Sequence, residues 1–439
     1  MLSGNTASAG ELEGKGISSA VLRNLVQKGW LLEGRRRVLR DSYQGLEARK
    51  ETLELTEEQQ AAIQAVDRAR ENRDPRTFLL QGITGSGKTE VYLRLTDRAL
   101  RAGQQVMVLV PEIALTGQIV KRFKAWFGAG VAVAHSRLSP SERGDVWSRM
   151  RSGQARVLIG VRSAVFCPFA DLGLILMDEE HEGTYKQEER PSYHARLVAQ
   201  YRAHYRKVPV VLGSATPDLE SYYLAEQGVY TRLRLTHRAK TGSHLPQVSI
   251  VDMREELRQG NRTVLSEALR RKLEDVVKNG EQAIVLLNRR GFSTFVLCRD
   301  CGESLSCPNC AVSLVYHARE QLMECHYCGH TEPVPTKCPY CGSPRIRFFG
   351  TGTEKAEREI RDLCPGVRPL RMDQDSTSGK FAHEQILQAF RRGDYNVLLG
   401  TQMVAKGHDI PNVTLVGVLS ADSQLNLPDF RSGERCFAC

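Results

Sequence analysis

Two blocks of the chain alternate between short apolar runs and segments with helical spacing. The first block extends from about Leu55 to Leu235, and its apolar runs have the length and composition of buried strands. They are TFLLQG (77–82), QVMVLVPE (105–112), VAVAH (131–135), RVLIGV (156–161), LGLILMDEE (172–180) and VPVVLGSA (208–215). Because strands that alternate with helices form parallel sheets, this block predicts a doubly wound α/β domain.

The second block repeats the alternation and predicts a second α/β domain. Its runs are QAIVLLNRRG (282–291), RIRFFGTG (345–352), VRPLRMD (367–373), NVLLGTQM (396–403) and VTLVGVLSAD (413–422). A cysteine-rich segment separates the first of these runs from the next. We therefore predict domains at 51–237 and 238–439, with an inserted cysteine-rich segment at 298–345.

The first 50 residues have a different pattern. Residues 17–40 begin with helical apolar spacing, followed by a short strand-like piece and a basic run. The apolar positions are Val21, Leu22, Leu25 and Val26. This pattern predicts a winged-helix remnant and a linker over 1–50. The N-terminus has neither a basic start nor an apolar core, so we expect no signal peptide.

The segment GITGSGKT, from Gly82 to Thr89, has the spacing of a phosphate-binding loop. Its glycines allow backbone N–H groups to point inward at anionic oxygens. They are Gly82, Gly85 and Gly87. Lys88 can reach the β and γ phosphates, and the Thr89 hydroxyl can bind Mg²⁺. The alternative is a glycine-rich connection, but a predicted strand precedes the segment and a predicted helix ending at Gly103 follows it, which favours a nucleotide site.

A second group of polar residues follows the apolar run LGLILM. Asp178 can hold Mg²⁺ there, and the next carboxylate, Glu179, can position an attacking water. Acidic turns after strands are common, but this one accompanies a phosphate-binding loop at the expected distance. The short segment Ser214–Thr216 follows another predicted strand, so we expect it to couple the nucleotide to a second ligand.

Eight of the twelve cysteines form four C-x-x-C pairs. The pairs are Cys298/Cys301, Cys307/Cys310, Cys325/Cys328 and Cys338/Cys341. Eight thiolates fill two tetrahedral Zn²⁺ sites, although the spacing alone leaves open which pairs share an ion. The alternative is a redox or disulfide role, which a cytosolic chain with a phosphate-binding loop makes less favourable. We expect Cys167 and Cys364 to be buried or partly buried thiols and the C-terminal CFAC not to bind metal.

The segment from Tyr185 to Arg196 mixes aromatic and cationic side chains. They are Tyr185, Lys186, Arg190, Tyr193, His194 and Arg196. Such a mixture suits single-stranded DNA, because every base offers a π face. The alternative is a solvated charged loop. The formal net charge of +10 suits a polyanionic partner but is weak support by itself. No apolar run approaches the roughly 20 residues that span a bilayer.

Several motifs together resemble superfamily 2 helicases with two RecA-like domains: GITGSGKT, DEEH, GSAT and GTQMVAKGHDIPNVTLV. Longer segments indicate a particular family among these helicases. VPEIALT, DEEHEGTYKQEERPSYHARLVA, LLNRRGFSTFVLCRDCG and LPDFRSGER resemble the primosomal replication-restart helicase family, PriA. The resemblance covers nearly all of the chain from about Leu55 onward.

This resemblance implies ATP, Mg²⁺ and two Zn²⁺ as cofactors. It implies that Gln59 recognises adenine, that Lys88 and Thr89 contact phosphate and Mg²⁺, that Asp178 is the second metal contact, and that Glu179 is the catalytic base. It also implies that His181 and the segment 185–196 link DNA binding to hydrolysis. The family's nested zinc pairing implies one ion on Cys298, Cys301, Cys338 and Cys341, and another on Cys307, Cys310, Cys325 and Cys328.

The function expected from the resemblance is an ATP-dependent 3′-to-5′ DNA helicase that remodels stalled forks and initiates primosome assembly. Forked and single-stranded DNA, other primosome proteins, a helicase loader and single-stranded-DNA-binding protein are the implied partners. We expect a monomer in the bacterial cytoplasm, associated with the nucleoid. One alternative is an RNA helicase, against which the cysteine-rich insertion and the DEEHEGTYKQ segment argue.

The family has further segments at both ends, including a DNA-binding domain before this sequence and an arginine-rich motif after DFRSGER. Arginines of that motif contribute to ATP turnover in the family. The second alternative is therefore a scaffold that binds ATP and DNA but hydrolyses ATP feebly and does not unwind a duplex.

Overall fold

The computed structural model describes most of the chain. The described residues are 9–33, 53–111, 118–136, 138–239, 246–287, 294–310, 312–317, 320–349, 353–372, 382–401, 410–425 and 429–438. Backbone contacts divide the chain into two compact units, 1–41 and 42–439. Among the described residues, no helix combines the length and the apolarity that crossing a membrane requires.

The described part of the N-terminal unit contains two short helices, α1 (Ala9–Gly14) and α2 (Ser19–Gln27). The predicted helix is confirmed as α2, which begins where the Ser18 hydroxyl accepts a hydrogen bond from the Val21 N–H. No residue of α2 is buried. The basic run lies outside the described residues, and the assignment of 1–50 to a winged-helix remnant stays a prediction.

The first α/β domain contains nine described strands. They are β1 (Thr77–Gly82), β2 (Gln105–Leu109), β3 (Val131–Ala134), β4 (Val157–Gly160), β5 (Leu172–Asp178), β6 (Lys186–Gln187), β7 (Tyr193–His194), β8 (Val210–Ser214) and β9 (Thr231–Leu235). Seven strands form a parallel sheet in the order β3-β4-β2-β5-β8-β1-β9. All six predicted strands are present. Strand β9 and the two-stranded β6–β7 hairpin were not predicted.

Helices cover both faces of this sheet, as its continuously apolar strands require. They are α3 (Glu57–Glu71), α4 (Lys88–Arg101), α5 (Gln118–Phe127), α6 (Pro140–Arg151), α7 (Ala195–Arg206) and α8 (Leu219–Glu226), with 3-10 helices at Gly128–Gly130, Arg162–Phe166 and Gly183–Tyr185. One core contains Ile63, Tyr92 and Phe123. The other contains Met107 and Leu158. Helix α4 follows the predicted phosphate-binding loop and ends close to Gly103, as predicted.

The second domain contains nine more described strands and five described helices. The strands are β10 (Gln282–Leu287), β11 (Thr294–Cys298), β12 (Val315–His317), β13 (Leu322–Glu324), β14 (Thr331–Pro333), β15 (Ile346–Phe349), β16 (Pro369–Met372), β17 (Val397–Gly400) and β18 (Val413–Leu419). The helices are α9 (Met253–Arg258), α10 (Glu267–Lys278), α11 (Thr353–Leu363), α12 (Ala382–Arg391) and α13 (Ser432–Phe437), with a 3-10 helix at Ala421–Gln424.

Four of these strands form a parallel sheet in the order β16-β17-β10-β18. The other five form an antiparallel sheet, β14-β13-β12-β11-β15, which we call the zinc sheet. The prediction that RIRFFGTG supplies a strand of the second α/β domain is therefore wrong. Its residues Ile346–Phe349 pair with β11 in the zinc sheet. In IRFF only one position interrupts the apolar residues, and so short a run fits either kind of sheet.

Candidate functional site

Three neighbouring strands bring the predicted nucleotide residues to one edge of the first sheet. Strands β5, β8 and β1 are adjacent, and Asp178 pairs with Gly213 while Gln81 pairs with Ser214. Because all three strands are parallel, their carboxyl ends meet. The phosphate-binding loop, the acidic turn and the Ser214 segment therefore lie side by side, where open α/β sheets bind their ligands.

A hydrogen bond joins the two ends of the phosphate-binding loop. The Lys88 ammonium donates a hydrogen bond to the carbonyl oxygen of Gly82 (2.9 Å). The Ser86 hydroxyl is buried, and no other described group forms a hydrogen bond with it. An inward-facing ammonium at a helix N-terminus is a donor set that fits nucleotide phosphate oxygens.

Gln59, in the first turn of helix α3, contacts this loop through its side chain. Its amide nitrogen donates to the Ser86 carbonyl (2.8 Å), and its amide oxygen accepts from the Thr56 N–H (3.0 Å). Gly87 has φ +81°, and a Cβ there would lie 2.4 Å from the Gln59 amide nitrogen. A side chain at this position would thus displace Gln59. The predicted role of Gln59 in recognising adenine stays a proposal, and the structure adds a contact that supports the loop.

Asp178 lies between two buried tyrosines. The Tyr92 hydroxyl donates to its carboxylate (3.0 Å), and the Tyr185 hydroxyl donates to its main-chain carbonyl (2.7 Å). Gly213 makes room for Tyr92, since a Cβ at Gly213 would lie 1.6 Å from the tyrosine oxygen. Burial raises the pKa of Asp178, whereas the nearby Lys88 ammonium and the Tyr92 hydroxyl act to lower this pKa. The Asp178 carboxylate and the Thr89 hydroxyl are oxygen donors of the kind Mg²⁺ prefers.

His181 connects the acidic turn to the end of β8. Its Nδ1 atom lies 2.7 Å from the Ser214 hydroxyl, which in turn accepts a hydrogen bond from the Thr216 N–H (3.0 Å). The same Nδ1 lies 3.6 Å from the carboxylate of Glu179. Glu179 has φ +45°, in the left-handed region that most side chains avoid. His181 thus lies between Glu179, the predicted catalytic base, and the Ser214 segment.

Glu180 was not predicted to have a role, yet it is the centre of a buried network. Its carboxylate accepts from Arg196 (3.1 Å), from the Ser221 hydroxyl (2.9 Å) and from the Asp218 N–H (2.9 Å). Arg196 also pairs with Asp218 and donates to Glu220 (2.8 Å). Burial, and then the Asp218 carboxylate, raise the pKa of Glu180 to about 7. This network ties the acidic turn to α7 and α8.

Two residues predicted to contact DNA are placed inside the protein. Tyr185 is fully buried, and Arg196 is 4% exposed and paired with carboxylates. Neither can stack on a base or reach a phosphate in this arrangement, so the direct-contact interpretation of these two residues is corrected. Internal hydrogen bonds offset the cost of burying their polar groups. Burial, unlike composition, depends on distant parts of the chain.

The remaining members of the segment lie nearer the surface. Lys186 and Arg190 are exposed, and Tyr193 is half-buried. The Tyr193 ring packs edge-on against the ring of Phe166, with centroids 4.9 Å apart. Arg162 holds the hairpin by donating to the Lys186 carbonyl (2.7 Å). These contacts present Lys186 on a braced hairpin close to the acidic turn.

The segment that follows β9 contacts the phosphate-binding loop, which the sequence did not predict. The Ala239 N–H donates to the Gly85 carbonyl (2.9 Å). Upstream, the Thr236 N–H donates to the Glu58 carboxylate (2.7 Å), which lies beside Gln59 in the chain. No local sequence signal marks this contact, because its partners are more than a hundred residues apart.

The eight paired cysteines form two groups of four in the zinc sheet. One contains Cys298, Cys301, Cys338 and Cys341, and the other contains Cys307, Cys310, Cys325 and Cys328. The sulfurs of Cys298 and Cys341 lie 3.6 Å apart, and those of Cys301 and Cys338 lie 3.7 Å apart. Tetrahedral Zn²⁺ with bonds of about 2.3 Å separates its sulfur ligands by roughly 3.8 Å. Both groups fit structural zinc, in the nested pairing that the resemblance implies.

The other cysteines are not in these groups. Cys167 and Cys364 are buried, as predicted. Cys436 contacts the Ala421 carbonyl, and Cys439 lies outside the described residues.

Family models match three parts of the chain. A DEAD/DEAH box helicase model matches residues 56–224, a model of the PriA DNA helicase Cys-rich region matches 307–333, and a helicase conserved C-terminal domain model matches 343–432. These matches and the two parallel sheets define a superfamily 2 helicase with two RecA-like domains and a cysteine-rich insertion.

Two similar proteins indicate which kind of superfamily 2 helicase the chain resembles. The chain is 53% identical to the replication restart protein PriA of Bacillus subtilis over 96% of this chain and 52% of the relative. It is 46% identical to the PriA of Synechocystis over 96% of this chain and 51% of that relative. The chain belongs to the PriA family. It spans about half the length of these two relatives.

Proposed function

We propose that this chain is the ATP-driven motor of a DNA helicase that acts in replication restart. The observation that carries the proposal is the convergence of Lys88, Asp178 and His181 at one sheet edge, in a chain 53% identical to a replication restart protein. In the proposal, Lys88, Thr89 and the loop glycines bind ATP and its Mg²⁺ together with Asp178. Glu179 positions the attacking water. Bound Mg²⁺ would neutralise charge on the phosphates.

The proposed coupling to DNA runs through His181. Its contact with Ser214 connects the acidic turn to β8, and the Glu180–Arg196 network connects the same turn to α7 and α8. A change at the hairpin that carries Lys186 and Arg190 therefore reaches Glu179 through packed groups. We propose 3′-to-5′ movement along one strand, with stalled forks as the substrate.

Lys88→Ala tests the nucleotide site. We expect ATP turnover to fall to background, because the variant loses the ammonium that faces the phosphates, while the far-UV spectrum stays native. Turnover would be measured with no nucleic acid, with single-stranded DNA, with forked DNA and with RNA. Lys278→Ala, an exposed lysine on α10, is the matched control and should behave as wild type. Undiminished DNA-stimulated turnover in Lys88→Ala would contradict the assignment. Equal stimulation by RNA would favour an RNA helicase.

Lys186→Ala tests the DNA contact. Removing one exposed cation should weaken single-stranded DNA binding and reduce the slope of log affinity against log salt by about one phosphate contact, that is, by roughly 0.7. Fluorescence anisotropy over a range of salt concentrations measures both. The same slope in wild type and variant would exclude Lys186 from the DNA contact.

The partners and the location of the protein follow from the same proposal. Replication restart requires forked DNA, and we propose that primosome proteins, a helicase loader and single-stranded-DNA-binding protein act with this chain. The relatives described above are bacterial. We propose a monomer in the bacterial cytoplasm, near the nucleoid.

A further inference from the structure

A cluster of two histidines and a glutamate lies on the zinc sheet, outside both cysteine groups. His317 ends β12, Glu324 ends β13, and His326 follows two residues later. Val315 pairs with Glu324 in the antiparallel register. Since alternate residues of a strand share a face, His317 lies on the same face as Val315 and therefore as Glu324. The opposite face carries Met323, which is fully buried.

The three side chains converge on one point. The Nε2 atoms of His317 and His326 are 3.0 Å apart, and the Nε2 atom of His317 is 3.3 Å from the Glu324 carboxylate. All three ligand atoms lie within 4.8 Å of one another. Zn²⁺ with Zn–N bonds of about 2.0–2.1 Å in tetrahedral geometry separates nitrogen ligands by roughly 3.3 Å. The spacing of the cluster is thus close to that of a coordination sphere.

Hydrogen bonding alone satisfies this arrangement poorly. The His317 Nε2 faces both a carboxylate, which only accepts, and a second imidazole nitrogen. Two arrangements are possible when both rings are neutral. If His317 carries a proton on Nε2, that single proton must serve both His326 and Glu324. If His326 carries the proton on its Nε2 instead, the His317 Nε2 directs a lone pair at the Glu324 carboxylate. A cation accepts lone pairs from all three groups at once. The donor set of two imidazoles and one carboxylate is one that Zn²⁺ uses.

We propose that His317, Glu324 and His326 bind a third Zn²⁺. The three ligands leave one position open, and the exposed ring of His326 places that position at the surface, where it takes a water or another oxygen ligand. Cys325 lies between two of the ligands in the chain and belongs to the neighbouring cysteine group. That group therefore holds Glu324 and His326 in place. The site is weaker than the closed cysteine sites because it is open and has no thiolate ligand.

The test is a zinc titration of the full chain. Equilibrium dialysis against increasing free Zn²⁺, with metal analysis of the protein, should give two tightly held equivalents and a third that fills at higher concentration. His317→Gln and Glu324→Gln should each weaken the third equivalent at least about tenfold, since even loss of an outer-shell partner costs about 10- to 100-fold. Both variants should keep the two tight equivalents, which also report an intact zinc sheet.

His330→Gln is the matched control. His330 lies on the same sheet, 3.4 Å from Glu332, but is not one of the three converging residues. It should retain the third equivalent with wild-type affinity. Saturation of the wild type at two equivalents would overturn the proposal. So would a third equivalent that persists in His317→Gln and Glu324→Gln, or one lost equally in His330→Gln, because either result indicates scattered surface binding.

Discussion

At the scale of single residues, the position of the Asp178 carboxylate depends on two neighbours, Tyr92 and Gly213. Tyr92 is fully buried one helical turn beyond Lys88, and its hydroxyl donates to Asp178. Gly213 leaves the space that the hydroxyl occupies. A residue of α4 therefore orients the proposed metal contact, and a glycine of β8 leaves the room that this residue needs. Tyr92 and Gly213 together fix the orientation of the Asp178 carboxylate.

Tyr92→Phe tests this orientation. The variant keeps the ring but removes the hydroxyl that acts to lower the Asp178 pKa, so that pKa should rise further above its usual range. An acid with a higher pKa ionises only at higher pH. The acidic limb of the turnover profile should therefore move to higher pH, with turnover at alkaline pH reduced much less. Turnover measured across pH at saturating MgATP checks this.

Tyr201→Phe supplies the control, because Tyr201 is 74% exposed on α7. Its pH profile should match that of the wild type. If Tyr92→Phe also has the wild-type acidic limb, the hydroxyl does not influence the ionisation of Asp178.

At the scale of elements, the zinc sheet differs from the two parallel sheets in what stabilises it. Its apolar core is small and includes Val296, Leu305, Leu314 and Met323. Cysteines of the second metal group pack within the same core. Short strands with so few buried side chains do not supply enough burial to fold alone. We infer that metal binding supplies much of the stability of this element.

Removal of zinc should therefore act locally. Treatment with a strong chelator should accelerate amide exchange over the zinc sheet, residues 294–349, because metal binding and folding are coupled in such elements. Nucleotide affinity should change less than about twofold, since the sheet that carries Lys88 has its own large core. Exchange mass spectrometry and a nucleotide titration measure the two effects.

Readdition of Zn²⁺ is the control and should restore slow exchange. Unchanged exchange in the metal-depleted chain would mean that the sheet folds without metal. A loss of nucleotide affinity that Zn²⁺ restores would mean that the two elements are coupled.

At the scale of the whole molecule, polar contacts join α13 of the second α/β domain to α8 of the first. Glu434 of α13 accepts a hydrogen bond from the Leu219 N–H at the start of α8 (2.7 Å). Arg431 pairs with Glu220, whose side chain is 55% exposed. Exposed pairs of this kind contribute little, about 0–1 kcal/mol each. The hydrogen bond and the ion pair therefore add little to the stability of the arrangement of α8 and α13.

Glu434→Ala should release the Leu219 amide. Its exchange should accelerate because the carboxylate at the N-terminus of α8 is lost, while the free energy of unfolding changes by less than about 1 kcal/mol. Exchange measurements and denaturant titration check the two results. Glu226→Ala is the control, since Glu226 lies at the other end of α8 and pairs with Arg232 of its own domain. Equal Leu219 exchange in Glu434→Ala and wild type would show that the contact does not form in solution.

The sequence by itself determined the features that depend on neighbouring residues. The spacing of glycines and Lys88 predicted the phosphate-binding loop, and the alternation of apolar runs predicted two parallel sheets. Four C-x-x-C pairs predicted zinc. These patterns operate over a few residues, within which local backbone geometry and ligand reach are set, so they are visible without any knowledge of the fold.

Only the tertiary structure decided which residues are buried and which meet across the chain. Tyr185 and Arg196 are residue types that often contact DNA, but both are buried here, and Arg196 forms a hydrogen bond with Ser221 of α8. The run at Ile346–Phe349 suits either kind of sheet, and its antiparallel pairing with β11 places it in the zinc sheet. His317, Glu324 and His326 become a cluster only through strand register. Burial and register depend on partners that are distant in sequence, and no local pattern records them.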